Sequence, residues 1–275
     1  MRGLRGPFRL FRPGLAAAVL LLGVILLAAV SPASLTSADP LTGVPAERLL
    51  PPGPGHWWGT DQLGRDLYAR VVHGTGRSLG TAALAAGLGL TAGCVIGLVA
   101  GYAGGWTDDL LMRGVDALLA VPALLLSLAL VTALGTGRAA LAVAVGVPAI
   151  GPLARVMRAA TLRARHSGFV EAAVAYGAGR WWTVHRHVLP HARHPLLALG
   201  ALEFGFAVLA VSGLGYLGYG AEPPTPEWGL LVADGRDHLA TSWWLSVLPG
   251  LAVAATVLAV HHVARTLDRD PRSAG

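Results

Sequence analysis

The sequence predicts an all-α, polytopic membrane protein with six transmembrane helices. Two observations carry this. Of 275 residues, 54% are hydrophobic and only 13% charged. A soluble domain carries about 25% charged residues, so this chain has too few charges to clothe a soluble core of its length. The second observation is distribution. The apolar residues fall in runs almost free of charge, near the roughly 20 residues that a helix needs to cross a bilayer.

The first run, Leu15–Val30, follows Arg2, Arg5, Arg9 and Arg12. A basic start, an apolar centre and the following SPASLTSADP also fit a cleavable signal peptide, which would leave the later topology unchanged. The second run is Leu79–Ala103. The third, Ala117–Leu134, is interrupted by Pro122, and the fourth, Ala139–Ala154, is short and holds Pro148 and Pro152. The fifth, Leu196–Leu217, contains Glu203, and the sixth, Leu239–Val260, contains Pro249. Proline is tolerated in a span when neighbouring helices satisfy the freed carbonyl. Internal prolines in three spans therefore predict bundled, kinked helices.

Arginine sets the orientation. With the N-terminus inside and six alternating spans, the inner segments hold Arg2, Arg5, Arg9, Arg12, Arg113, the seven arginines from Arg155 to Arg193, and Arg265, Arg269 and Arg272. The outer segments hold only Arg48, Arg65, Arg70, Arg77, Arg138 and Arg236. The positive-inside bias puts both termini in the cytoplasm. The organisation expected is an N-terminus and first helix (1–35), an outer loop with an amphipathic helix (36–78), a membrane core (79–264) with a cytoplasmic loop at 155–195, and a cytoplasmic tail (265–275).

Composition also excludes chemistry. All 21 basic residues are Arg. Without Lys there is no Walker A phosphate loop and no Lys Schiff base. The 37 glycines and abundant alanines read as a compositional bias without function. The net charge of +6 fits arginines beside membrane lipid. No aromatic-basic motif points to nucleic acid. The single Cys94 excludes an intramolecular disulfide.

One cytoplasmic segment stands out. SGFVEAAVAYGAG reads as a small-residue helix ended or bent at Gly177, because glycine permits a turn closed to other residues. RWWTVHRHVLP reads as a second, amphipathic piece closed by Pro190. The residues alone leave two readings open, a knob projecting from the membrane or a hairpin lying on headgroups.

EAAVAYG followed by VLP resembles the EAA loop of ABC importer permeases. Glu171, Ala172, Ala173, Gly177, Leu189 and Pro190 fall on its positions, with Val188 where the family usually has Ile. In that family the loop seats a coupling helix in a cleft of the ATPase subunit. GTDQLGRDLYARVVHGTGRSL (Gly59, Thr60, Asp61, Gly64, Arg65, Asp66) resembles a signature of dipeptide/oligopeptide/nickel importer permeases. EPPTPEWGLLVADGRD (Pro224, Pro226, Trp228, Gly229) resembles their loop before the last span, and GGWTDDLLMRGVDALLAVPALLL also fits.

The resemblance implies a type I ABC importer transmembrane fold and the second permease of a heterodimer in a bacterial plasma membrane. It implies an ATPase pair and an extracytoplasmic binding protein as partners, no cofactor, and peptides or related solutes, nickel complexes included, as cargo. Two departures stand out. Val211 precedes SGLGYLG where members often carry an acid, and the tail VHHVARTLDRDPR keeps the family ending only loosely.

Further residues invite their own readings. Thr60 or Asp61 caps a helix N-terminus, and Asp61/Arg65 and Asp66/Arg70 form i,i+4 pairs on one helical face. The three prolines of EPPTPEWG make a stiff, extended loop, either a simple turn or an outer gate or docking element. Asp116 sits near a membrane edge and is expected to snorkel or to pair with Arg113, with a place on the pathway or the permease interface as the other reading. Glu203 lies within a span, where an acid is functional by default, lining the translocation path or the permease interface. His185, His187, His191 and His194 cluster, but Pro190 and Pro195 break the helix phase, so they read as polar contacts and no metal site is assigned. Two rival classes fit the residues less well. An intramembrane enzyme lacks HExxH and gives Ser212 no neighbouring His. A stand-alone secondary transporter would show repeats and buried coupling charges.

Overall fold

The computed structural model describes residues 13–179, 182, 186 and 189–268; within these, the side chains at 169, 171, 172, 174, 189–198, 267 and 268 lie outside the description. The elements are α1 (Pro13–Val30), α2 (Leu67–Ala103), α3 (Gly105–Ala120), α4 (Ala123–Leu134), α5 (Arg138–Arg165), α6 (Gly168–Ala175), α7 (Leu189–Leu214), α8 (Trp228–Asp234) and α9 (Trp244–Asp268). A π turn, Gly215–Tyr219, continues α7. Among the described residues there is no strand, only the isolated bridges Gly53–His56 and Thr60–Asp66.

Among the described residues, five helices are long and apolar enough to cross a membrane: Pro13–Val30, Leu67–Ala103, Arg138–Arg165, Leu199–Tyr219 and Trp244–Thr266. The sixth expected span is not a straight helix. α3 and α4 meet at 93°, with the intervening Val121 extended at φ −95°, ψ 130°. Pro122 explains the break: it donates no N–H and pushes the residue before it out of the helical region. Pro148 and Pro152, by contrast, stay inside a continuous α5, which runs past the expected end at Ala154 to Arg165.

The amphipathic outer helix expected before Leu79 does not form separately. α2 starts at Leu67 and its 37 residues span about 55 Å, well beyond a hydrocarbon core of roughly 30 Å. Its N-cap is Asp66, whose carboxylate accepts the Ala69 N–H at 2.8 Å. Thr60 and Asp61 cap nothing. They lie in a folded loop whose backbone bonds, such as Thr60 N–H to the Leu50 carbonyl at 3.0 Å, occupy the groups a helix would need.

The bundle is organised by α2 against α5, the most extensive pairing among the described elements; α7 packs on both and on α9, and α1 packs on α9 and α2. The α2–α5 contact follows a row of glycines four residues apart, Gly89, Gly93, Gly97 and Gly101. A Cβ at Gly93 would stand 2.6 Å from Leu153 Cβ, and one at Gly97 2.3 Å from the Ala154 carbonyl oxygen. Small residues let membrane helices approach this closely. The glycines read as compositional bias therefore include a packing seam. A buried cluster joins the helices, with Ala85, Leu141, Val145, Val208, Val211 and Leu214 among its members. Val211 is 1% exposed there, so an acid at this position would be buried among apolar side chains.

Candidate functional site: coupling loop and transmembrane cavity

At one end of α5, His166 and Ser167 make a turn, with Ser167 Oγ donating to the Ala164 carbonyl at 2.5 Å. α6 follows and carries Glu171, Ala172 and Ala173. Its end is a glycine-terminated cap. The Ala178 N–H reaches back to the Ala173 carbonyl at 3.0 Å, and Gly177 between them has φ +86°. This is the six-to-one bond of a Schellman motif with glycine in the left-handed position. Tyr176 beside it is 94% exposed, and Gly177, Trp182 and Arg186 are exposed too. Leu189 and Pro190 open α7. Pro190 thus begins a helix and does not close one, because a first-turn proline forfeits no intrahelical hydrogen bond. His185 and His187 lie outside the described residues, while His191 and His194 fall on α7.

Part of the basic run is bound within the chain. Arg158 makes a two-pronged contact with Asp108, Nε and Nη2 to the two carboxylate oxygens at 2.6 and 2.5 Å. Arg165 donates to the Tyr102 carbonyl at 3.1 Å. Asp116 pairs with Arg155 at 2.7 Å, correcting the expected Arg113; residue 155 comes from a neighbouring helix, so sequence distance hid it. Both partners are exposed, and such a pair contributes little to stability. Together these contacts tie α5 to α2 and α3 beside α6.

At the other end of the bundle, the two signature segments meet. Asp61 accepts backbone N–H groups of Leu63 and Arg65 at 2.8 and 3.0 Å and the Arg65 Nε at 2.7 Å. The Asp61–Arg65 pair is therefore real, but it belongs to a turn and not to a helix face. Arg70 does not pair with Asp66. Its guanidinium, 1% exposed, lies 3.6 Å from Asp61 and 3.9 Å from Asp234 of α8. Burial raises the Asp234 carboxyl above its ordinary range, and the charge of Arg70 pulls it back. Trp228 is buried, its ring N–H donating to the Val71 carbonyl and its backbone N–H to Ser78 Oγ, both at 3.0 Å. A Cβ at Gly64 (φ +75°) would stand 2.0 Å from the Val44 carbonyl oxygen, and one at Gly229 2.2 Å from that of Ser212. Gly59, with φ +76°, abuts Leu50 and Trp244. Gly74 of α2 lies against the Pro226 backbone; Pro224 lies in the same loop. These signature residues thus build one folded block around the start of α2. Glu227, one of the acids of the EPPTPEWG loop and given no individual role by the sequence, is 3% exposed and accepts the Ala221 N–H.

Between the two ends, a cavity of about 430 Å³ opens among α2, α4, α5 and α7, lined by Glu203, Ser127, Pro148, Pro152 and Phe206. Asp116 is not among its lining residues. A separate cleft of about 360 Å³ between α1, α2 and α9 has no carboxylate or cation in its wall.

Residues 93–273 match the family described as binding-protein-dependent transport system inner membrane component. The chain belongs to this family. The permease is 35% identical over 240 residues to the dipeptide transport system permease protein DppC of Alkalihalophilus pseudofirmus, covering 87% of this chain and 79% of that one. It is 36% identical over 208 residues to the glutathione transport system permease protein GsiD of Pectobacterium atrosepticum, covering 76% and 69%. A crystal structure of an amino acid ABC transporter with histidines matches the fold with a TM-score of 0.57 at 15% identity, over 73% of the permease and 93% of that chain. The permease is a multi-pass inner-membrane transport subunit with a type I ABC importer fold. It is not an enzyme, and it works with a substrate-binding protein and with subunits that hydrolyse ATP.

Proposed function

We propose that the permease forms one half of a heterodimeric transmembrane unit that imports peptides or related small solutes. Both termini and residues 155–195 face the cytoplasm, and α6 seats in a partner ATPase. The observation that carries this is the capped, exposed end of α6 at Gly177, built on the end of α5. A short helix with a fixed terminus transmits a push; a frayed one absorbs it. Glu171, Ala172 and Ala173 on α6, with Leu189 and Pro190 at the start of α7, supply the contact. The names of the dipeptide and glutathione relatives support the cargo class.

Closure of the ATPase pair on ATP displaces α6. α5 moves with it, and the Arg158–Asp108 clamp and the glycine seam carry α3 and α2 along as one body. The bundle then rocks between inward- and outward-open states, a rigid-body transition. Purification of the tagged permease should recover a second permease and an ATPase; transport by the permease alone in liposomes would refute the proposal. Gly177→Glu should insert normally yet abolish ATP-driven uptake. Normal uptake by that variant removes the coupling role from this loop.

A further inference from the structure

We infer that Glu203 is a way-station for the cargo's cationic amino group inside the membrane. The inference rests on the peptide-import reading and adds to it the chemistry of the contact. Among the described residues, Glu203 is the only titratable side chain lining the 430 Å³ cavity. Among the described residues its carboxylate has no hydrogen-bond or ion-pair partner. An acid within a span normally pairs with another group or faces a water-filled path, and here the cavity is what it faces.

The rest of the polar lining matches a cation. Ser127 contributes a hydroxyl. Pro152 has no N–H to give to the carbonyl of Pro148, its ordinary helix partner, and both residues line the cavity. Carboxylate, hydroxyl and freed carbonyl are all acceptors. An ammonium group offers three donors and one positive charge, and burying it without a counter-charge is costly. A peptide brings one such group whatever its side chains. A carboxylate without a partner among the described residues, in a mostly apolar wall, therefore recognises the common part of a varied cargo. It also binds weakly enough to release it, as conduction requires.

The test uses the complete transporter, with its binding protein, in proteoliposomes and radiolabelled trialanine as the probe. Glu203→Gln should lower the uptake rate at least about tenfold, the scale of a lost charge-assisted hydrogen bond, while Glu203→Asp keeps most of it. Subunit recovery and resting ATP hydrolysis should not change. In a Cys94→Ser background, Glu203→Cys should react with a cationic methanethiosulfonate reagent, and trialanine-loaded binding protein with ATP should change the rate of labelling. Wild-type-like uptake by Glu203→Gln overturns the inference. So does loss of the partner permease from the variant complex, which would make Glu203 an interface residue. Absence of trialanine uptake by the wild type instead overturns the peptide-import reading beneath it.

Discussion

At the scale of single residues, buried polar groups explain which positions tolerate change. Glu227 accepts the Ala221 N–H, and glycines 215 and 220 crowd around it. Burial pushes its carboxyl above the ordinary range, opposed by the Ala221 hydrogen bond and the charge of Arg77. Burial thus works against the charged form, and Glu227→Gln, which keeps the shape and an acceptor for the Ala221 N–H, should melt close to wild type. Glu227→Ala leaves a buried N–H unsatisfied and should cost about 1–3 kcal/mol, read as a lower Tm in detergent. His56 behaves differently. Its Nδ1 lies 2.8 Å from Asp66 Oδ2, and that bond raises the imidazole above 6.5, against a smaller burial effect and with help from Glu47. A raised folded pKa means that the stabilisation is complete below the unfolded value and is lost as pH rises through the folded one. The segment 40–66 should resist protease better near about pH 6 than near about pH 8, in the range where imidazole titrates, and His56→Ala should flatten that difference.

At the scale of elements, the glycine seam decides whether α2 and α5 can meet. Gly97→Leu drives a side chain into the Ala154 carbonyl, and overpacking of this kind costs about 1–3 kcal/mol or more. The variant should lose its monodisperse peak in size-exclusion chromatography. Gly87→Leu is the control, because a Cβ there meets nothing within 4 Å; equal behaviour of the two variants would remove the seam from the account. The four-residue glycine period was visible in the sequence and could have been found, but abundant glycine elsewhere masked it. The break at Pro122 was legible as an interruption, whereas its 93° angle depends on what α3 and α4 pack against. The cap at Gly177 was legible because only one residue type enters the left-handed region without strain.

At the scale of the whole molecule, orientation rests on the arginine bias and on which end carries α6. In a Cys94→Ser background, Ala38→Cys should react with an impermeant maleimide on intact spheroplasts. Tyr176→Cys should react only after permeabilisation. The opposite pattern would invert the topology and remove α6 from the reach of an ATPase. The molecule also has a division of labour: charge networks consolidate the block around the start of α2, an Arg–Asp clamp ties helices near α6, and Glu203, without a partner among the described residues, faces the cavity between them.

By itself the sequence determined the class, the membrane runs and the small-residue helix ending at Gly177. Those depend on composition, local hydropathy and one residue's backbone freedom, all of which are local properties. Tertiary structure decided the partners. Arg70 chose Asp61 and Asp234, Asp116 chose Arg155, and Glu203 found a cavity walled by four helices. These pairings join residues from separate elements, so they follow from how the helices cross and not from spacing along the chain.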